Sequence, residues 1–117
     1  MAWHWSKYIS VAEELHEKSN GSEAKLRSAT SRAYYGAFMQ VRNEKGYKKE
    51  KGSEIHQRII KDLKESEDDN EITIGSLLSD LRVERNDADY DDDYKTTPDE
   101  TKTNIDKAKK IQELLFK

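Results

Sequence analysis

Apolar residues along this chain recur at three- and four-residue steps, and no stretch alternates with period two. Trp5, Tyr8, Ile9, Ala12, Leu15 and His16 carry that step and predict a first helix, ended at Asn20-Gly21. Ser22 is placed to cap a second helix running to about Lys45. Gly46 and Gly52 bracket a basic loop, after which Ser53 is expected to cap a third helix with Ile55, Ile59, Ile60 and Leu63 inward. The acid-rich segment 65–71 reads as the next break. A fourth helix, from about Thr73, carries Ile74, Leu77, Leu78, Leu81 and Ala88. Thr97-Pro98-Asp99-Glu100 joins a capping hydroxyl, a proline in the first turn and acids against the positive helix end. The helix it starts turns Ile105, Ala108, Ile111, Gln112 and Leu115 to one side. The expected fold is all-α: an up-and-down bundle of four to five helices forming a single domain over residues 1–117.

The second helix differs from the rest because it is apolar or small nearly all round. Leu26, Ala29, Thr30, Ala33, Gly36 and Ala37 share one arc, and such small residues let another helix approach closely. Tyr34, Phe38 and Val41 make a second flank, and Tyr35 and Met39 a third. A helix needing cover on several sides belongs at the centre of a bundle or at a subunit interface.

Composition bounds the core. Hydrophobic residues are 33% of the 117 and charged residues 38%, yet the net charge is only −3, so the charges are mixed in sign. A small core under a charged surface follows. Without cysteine, disulfides and thiolate chemistry are excluded. No apolar run approaches a membrane span, and the first residues lack the apolar stretch of a signal peptide. The expectation is a cytoplasmic protein with no membrane association. Weak overall acidity argues against a strong non-specific grip on nucleic acid, while leaving room for a local basic site.

Arg85 is the most informative residue. It projects from the apolar stripe of the fourth helix, where a guanidinium needs a carboxylate, a phosphate or water. A structural salt bridge satisfies that need as well as a ligand does. After Asn86 come five aspartates in seven residues, Asp87 to Asp93. The glycine-bearing turn and ligand order of a hard-cation loop are missing, so no metal site and no cofactor are expected. Acids near a helix C-terminus are unfavourable, which calls for a role, a compensating cation or an early helix end. His56, at the margin of the third helix's apolar face, reads either as a proton-transfer group or as a packed histidine with one hydrogen bond. Arg27, Arg32, Arg42, Lys45, Lys48, Lys49 and Lys51, with Tyr47 among them, form either a phosphate-contacting surface or a solvated charged face.

Two blocks then carry a resemblance. Ser31-Arg32-Ala33-Tyr34-Tyr35-Gly36-Ala37-Phe38, and the stretch from Leu81-Arg82 through Arg85-Asn86 to Asp89-Tyr90, resemble motifs of the HEPN (higher eukaryotes and prokaryotes nucleotide-binding) domain family. His56 falls where many members carry a histidine between them. The resemblance implies a helical bundle, usually a homodimer. It also implies a metal-independent ribonuclease or a nucleotide- or RNA-binding module of prokaryotic defence, stress or toxin–antitoxin systems. Its partner there is often a nucleotidyltransferase-type antitoxin. The family's ribonuclease signature is an arginine followed, after four to six residues, by histidine. Here those spacings end on Tyr90 and Asp92.

Tyrosine, with a reference pKa near 10, is a poor proton carrier at neutral pH. The leading expectation is therefore a domain binding nucleotide or RNA through Arg85, with Asn86, Asp89, Tyr90, Arg32 and Tyr35 around it. A ribonuclease using Arg85 with His56 is one alternative. A non-catalytic dimeric module, with Arg85 paired to an aspartate across the interface, is another; the resemblance also implies that the Tyr35–Met39 flank meets a second subunit. In a regular helix Arg85 and Tyr90 point about 140° apart, so they are expected to converge only through a broken helix end or across a two-fold.

Overall fold

The computed structural model describes residues 3–50 and 52–117. These residues form five helices: α1 (Ser6–Glu17), α2 (Glu23–Glu44), α3 (Glu54–Lys64), α4 (Asp69–Tyr90) and α5 (Pro98–Leu115). The fold is an all-α bundle, as the periodicity predicts. No helix among the described residues is long and apolar enough to cross a membrane.

Local chemistry sets most of the boundaries. The Ser22 side chain accepts the Lys25 backbone N–H at the start of α2, and Thr97 does the same for Glu100 ahead of Pro98. Two boundaries differ from expectation. Ser53 makes no side-chain cap, because it already has helical backbone angles, and the Ile55 N–H turns to the Gly52 carbonyl instead. The acid-rich segment is not a break throughout. Asp68 accepts the Glu71 N–H at 2.9 Å and starts α4 four residues before Thr73, with Asp69 and Glu71 against the positive end of the helix.

α2 is the centre. It packs against α1, α4 and α5, while α3 lies on α4. Ala29, Ala33, Tyr34, Ala37, Phe38 and Val41 are fully buried in one core with Ile59, Leu78, Leu81, Ala108 and Ile111. Small residues do bring a helix close: a Cβ on Gly36 would stand 2.7 Å from Ile9 Cγ1 and 3.1 Å from the Ile9 backbone nitrogen. α1 therefore rests on bare α2 backbone. Gly75 plays the same part where α4 meets the end of α3 at Leu63 and Lys64.

α4 runs helically through Asp87 and Asp89 rather than ending early. The compensating cation is Arg27. Its guanidinium donates to the carbonyls of Ala88, Asp91 and Tyr94, covering orphan acceptors of the helix end with a positive charge.

Candidate functional site

The two motif blocks, some fifty residues apart in sequence, meet face to face between α2 and α4. One Arg85 terminal nitrogen donates to the Tyr35 hydroxyl at 2.5 Å, and the other to Asn86 Oδ1 at 2.8 Å. Ser31, one turn before Tyr35, donates to Asp89 Oδ2 at 3.2 Å. Asp89 in turn lies 2.9 Å from Arg85 Nε, which is shut off from solvent. The carboxylate sits off the N–H direction, so this contact is an ion pair rather than a directed hydrogen bond. An aspartate partner of Arg85 thus lies on its own helix, four residues on.

Tyr90 corrects an expectation. Its ring centroid lies 5.4 Å from the Arg85 guanidinium carbon, and its hydroxyl 3.5 Å from the nearer terminal nitrogen. The Cα–Cβ bonds diverge around the helix, but two long side chains reach across that angle at the last helical residue. No break and no two-fold are needed. Tyr35 approaches the same guanidinium at 4.7 Å, so Arg85 has an aromatic ring from each motif block beside it. Tyr35 is partly buried, whereas Tyr90 is 74% exposed.

His56 joins the cluster from α3. Its ring stacks on Phe38 at 4.0 Å and stands edge-on to Tyr35 at 5.9 Å, and Nδ1 lies 2.7 Å from the Tyr34 hydroxyl. Burial, then the positive charges of Arg82 and Arg85, push the imidazole pKa down to about 4. The Tyr34 hydroxyl, also buried, has its pKa raised and keeps its proton. The hydroxyl and Nδ1 share one hydrogen bond, with the imidazole tautomer deciding which of the two donates. At neutral pH His56 is an uncharged ring with Nδ1 engaged by the Tyr34 hydroxyl.

The structure disperses the basic cluster of α2 and its following loop. Arg27 caps α4, Arg42 turns onto Asn43, and Lys45 pairs with Glu71 at 2.6 Å. Arg32 lies 4.7 Å from the centre of the Tyr8 ring, committed to α1 rather than to Arg85. Lys51 lies outside the described residues. Tyr47, expected among phosphate contacts, donates to Asp62, and that carboxylate raises its pKa to about 12. No grouping of acidic or histidine side chains among the described residues could hold a metal ion.

Sequence reasoning did not single out Tyr34, Ser31 or Arg82 as contributors. Arg82 sits one turn before Arg85, a spacing that puts both guanidiniums on one side of α4. Comparison with protein-family models, curated proteins and solved structures gives no match.

Proposed function

We propose that this chain is a HEPN-like domain that binds RNA or a nucleotide at Arg85 without cleaving it. One observation carries the reading: Tyr90, an exposed aromatic ring, stands beside a guanidinium whose orientation is already fixed. Binding of single-stranded nucleic acid needs that pair of features, a π-face for a base and a cation for its phosphate. Asp89, Asn86 and Tyr35 hold Arg85 in place, so little ordering entropy is lost when a ligand arrives. The second N–H of the nitrogen that faces Asn86 remains for an incoming phosphate oxygen.

The ribonuclease alternative, with Arg85 stabilising charge and His56 moving the proton, has a physical obstacle. An imidazole with a pKa near 4 and its Nδ1 engaged is a weak base, and at pH 7 it is not present as the imidazolium that a general acid needs. The homodimer, the nucleotidyltransferase-type antitoxin, the prokaryotic defence or stress setting and the cytoplasmic location belong to the same proposal. They rest on the resemblance of the two motif blocks.

Fluorescence anisotropy with a labelled single-stranded RNA, and with ATP as competitor, tests the reading. Arg85→Ala is expected to weaken binding about tenfold or more, the value of a lost charge-assisted hydrogen bond. Arg85→Lys keeps the charge without the fork and falls between. One or two phosphate contacts predict a log–log salt slope of about −0.7 to −1.4. RNA cleavage in EDTA that disappears in both Arg85→Ala and His56→Ala would turn the reading to the enzyme. Wild-type protein that binds neither ligand would leave the interaction module.

A further inference from the structure

A groove of about 450 Å³ runs between α3 and α4, with Ile60 and Val83 as an aliphatic floor and Lys61, Lys64 and Arg82 around it. Elsewhere the cations are mostly engaged: Lys45 with Glu71, Arg58 with Glu50, Lys107 with Asp80, Lys109 with Glu13. Lys61, Lys64 and Arg82 have no ion-pair partner among the described residues, and Glu65, the one acid on the groove, pairs with none of them. On a chain of net charge −3, three unpaired cations on one concave surface form a local reversal of sign. Val83 adds an uncovered aliphatic surface, at 59% exposure.

We propose that this groove docks an acidic amphipathic helix of a partner protein. The groove follows α3 from Gln57 to Lys64, about 10 Å or two turns, so it fits two or three turns of an incoming helix. Leucine-type side chains at three- and four-residue spacing meet Ile60 and Val83, while glutamates or aspartates on the flanks meet the lysines and Arg82. The aliphatic floor decides against nucleic acid. No aromatic side chain lines the groove to stack a base, whereas Tyr90 at the Arg85 site does offer a ring. The docking surface does not depend on the Arg85 reading.

A designed helical peptide of roughly 14 residues, leucine on one face and glutamate elsewhere, is the probe, followed by amide chemical shifts of the labelled protein. Expected are shifts at Ile60, Lys61, Lys64 and Val83. Binding should fall about tenfold or more in Lys61→Glu/Lys64→Glu, whose exposed positions leave the fold intact by circular dichroism. Equal binding of the same peptide with lysine for glutamate would overturn the proposal, as would no groove shift at millimolar peptide. A single-stranded RNA that moves the Lys61 and Lys64 amides more strongly than the peptide would overturn it in favour of nucleic acid. Concentration-dependent groove shifts without peptide would assign the surface to a second copy of the chain.

Discussion

α2 has two working sides built on opposite principles. Toward α1 it presents Gly36, and the approach is so close that Ile9 and the Trp5 carbonyl occupy the space of a side chain. Toward α3 and α4 it presents Tyr34 and Tyr35, and the contacts are polar: a phenol on an imidazole, a phenol on a guanidinium, a serine on an aspartate. The first side is dry and tolerates no added volume. The second keeps an arginine and a histidine half-buried, with a carboxylate to steady the cation. Close packing sets the first side, while the second adds polar chemistry to a core that Phe38 shares with Ile59, Leu78 and Leu81.

The largest expected effect tests the dry side. Gly36→Leu gains up to about 0.8 kcal/mol of helix propensity but must displace backbone atoms of α1. A net loss of about 3 kcal/mol in urea unfolding is expected, with RNA affinity per folded molecule unchanged. Affinity falling in parallel with stability would mean the two sides are not separate.

That contrast was only half legible in sequence. The period of apolar residues fixes five helices, and the run of small residues on α2 announces a close approach, because packing there follows from the size of each residue alone. The N-terminus of α4 was also readable in principle: Asp68 and Glu71 stand at capping-box spacing, but a dense run of acids looks like a break. The polar side is harder. Arg27 spends its donors on three backbone carbonyls more than sixty residues away, and carbonyls leave no trace in side-chain identity. Arg85 and Tyr90 meet because of side-chain reach, which a helical projection of Cβ directions omits. The basic stretch of α2 suggested one surface, whereas neighbouring elements claim Arg27, Arg32 and Lys45 one at a time.

The next effect probes the polar side through pH. His56 has a folded pKa of about 4 against an ordinary 6.5, so between those values the unfolded chain binds more protons. Stability is fully present above about pH 6.5 and is lost as pH falls toward 4. A full shift corresponds to about 3 kcal/mol at 1.36 kcal/mol per unit, and partial exposure of the ring reduces the expectation to about 1–2 kcal/mol. Urea midpoints of wild type and His56→Gln, measured across that range, isolate the term from the carboxylates. A His56 resonance titrating near 6.5 would remove the obstacle to proton transfer and reopen the ribonuclease alternative.

The smallest effect is the most discriminating. Tyr35→Phe keeps the ring that faces both Arg85 and His56 and removes only the acceptor of one Arg85 hydrogen bond. Asp89 and Asn86 still hold the guanidinium, so the stability loss should stay within about 0.5–1.5 kcal/mol. If Arg85 serves only the fold, RNA affinity per folded molecule stays at the wild-type value. If Arg85 is a ligand-facing cation, loosening its orientation weakens binding several-fold, and Tyr90→Phe, which leaves an exposed ring in place, does not. Equal behaviour of the two phenylalanine variants would mean that Tyr35 positions nothing, and that the polar side of α2 is scaffold as much as the dry one.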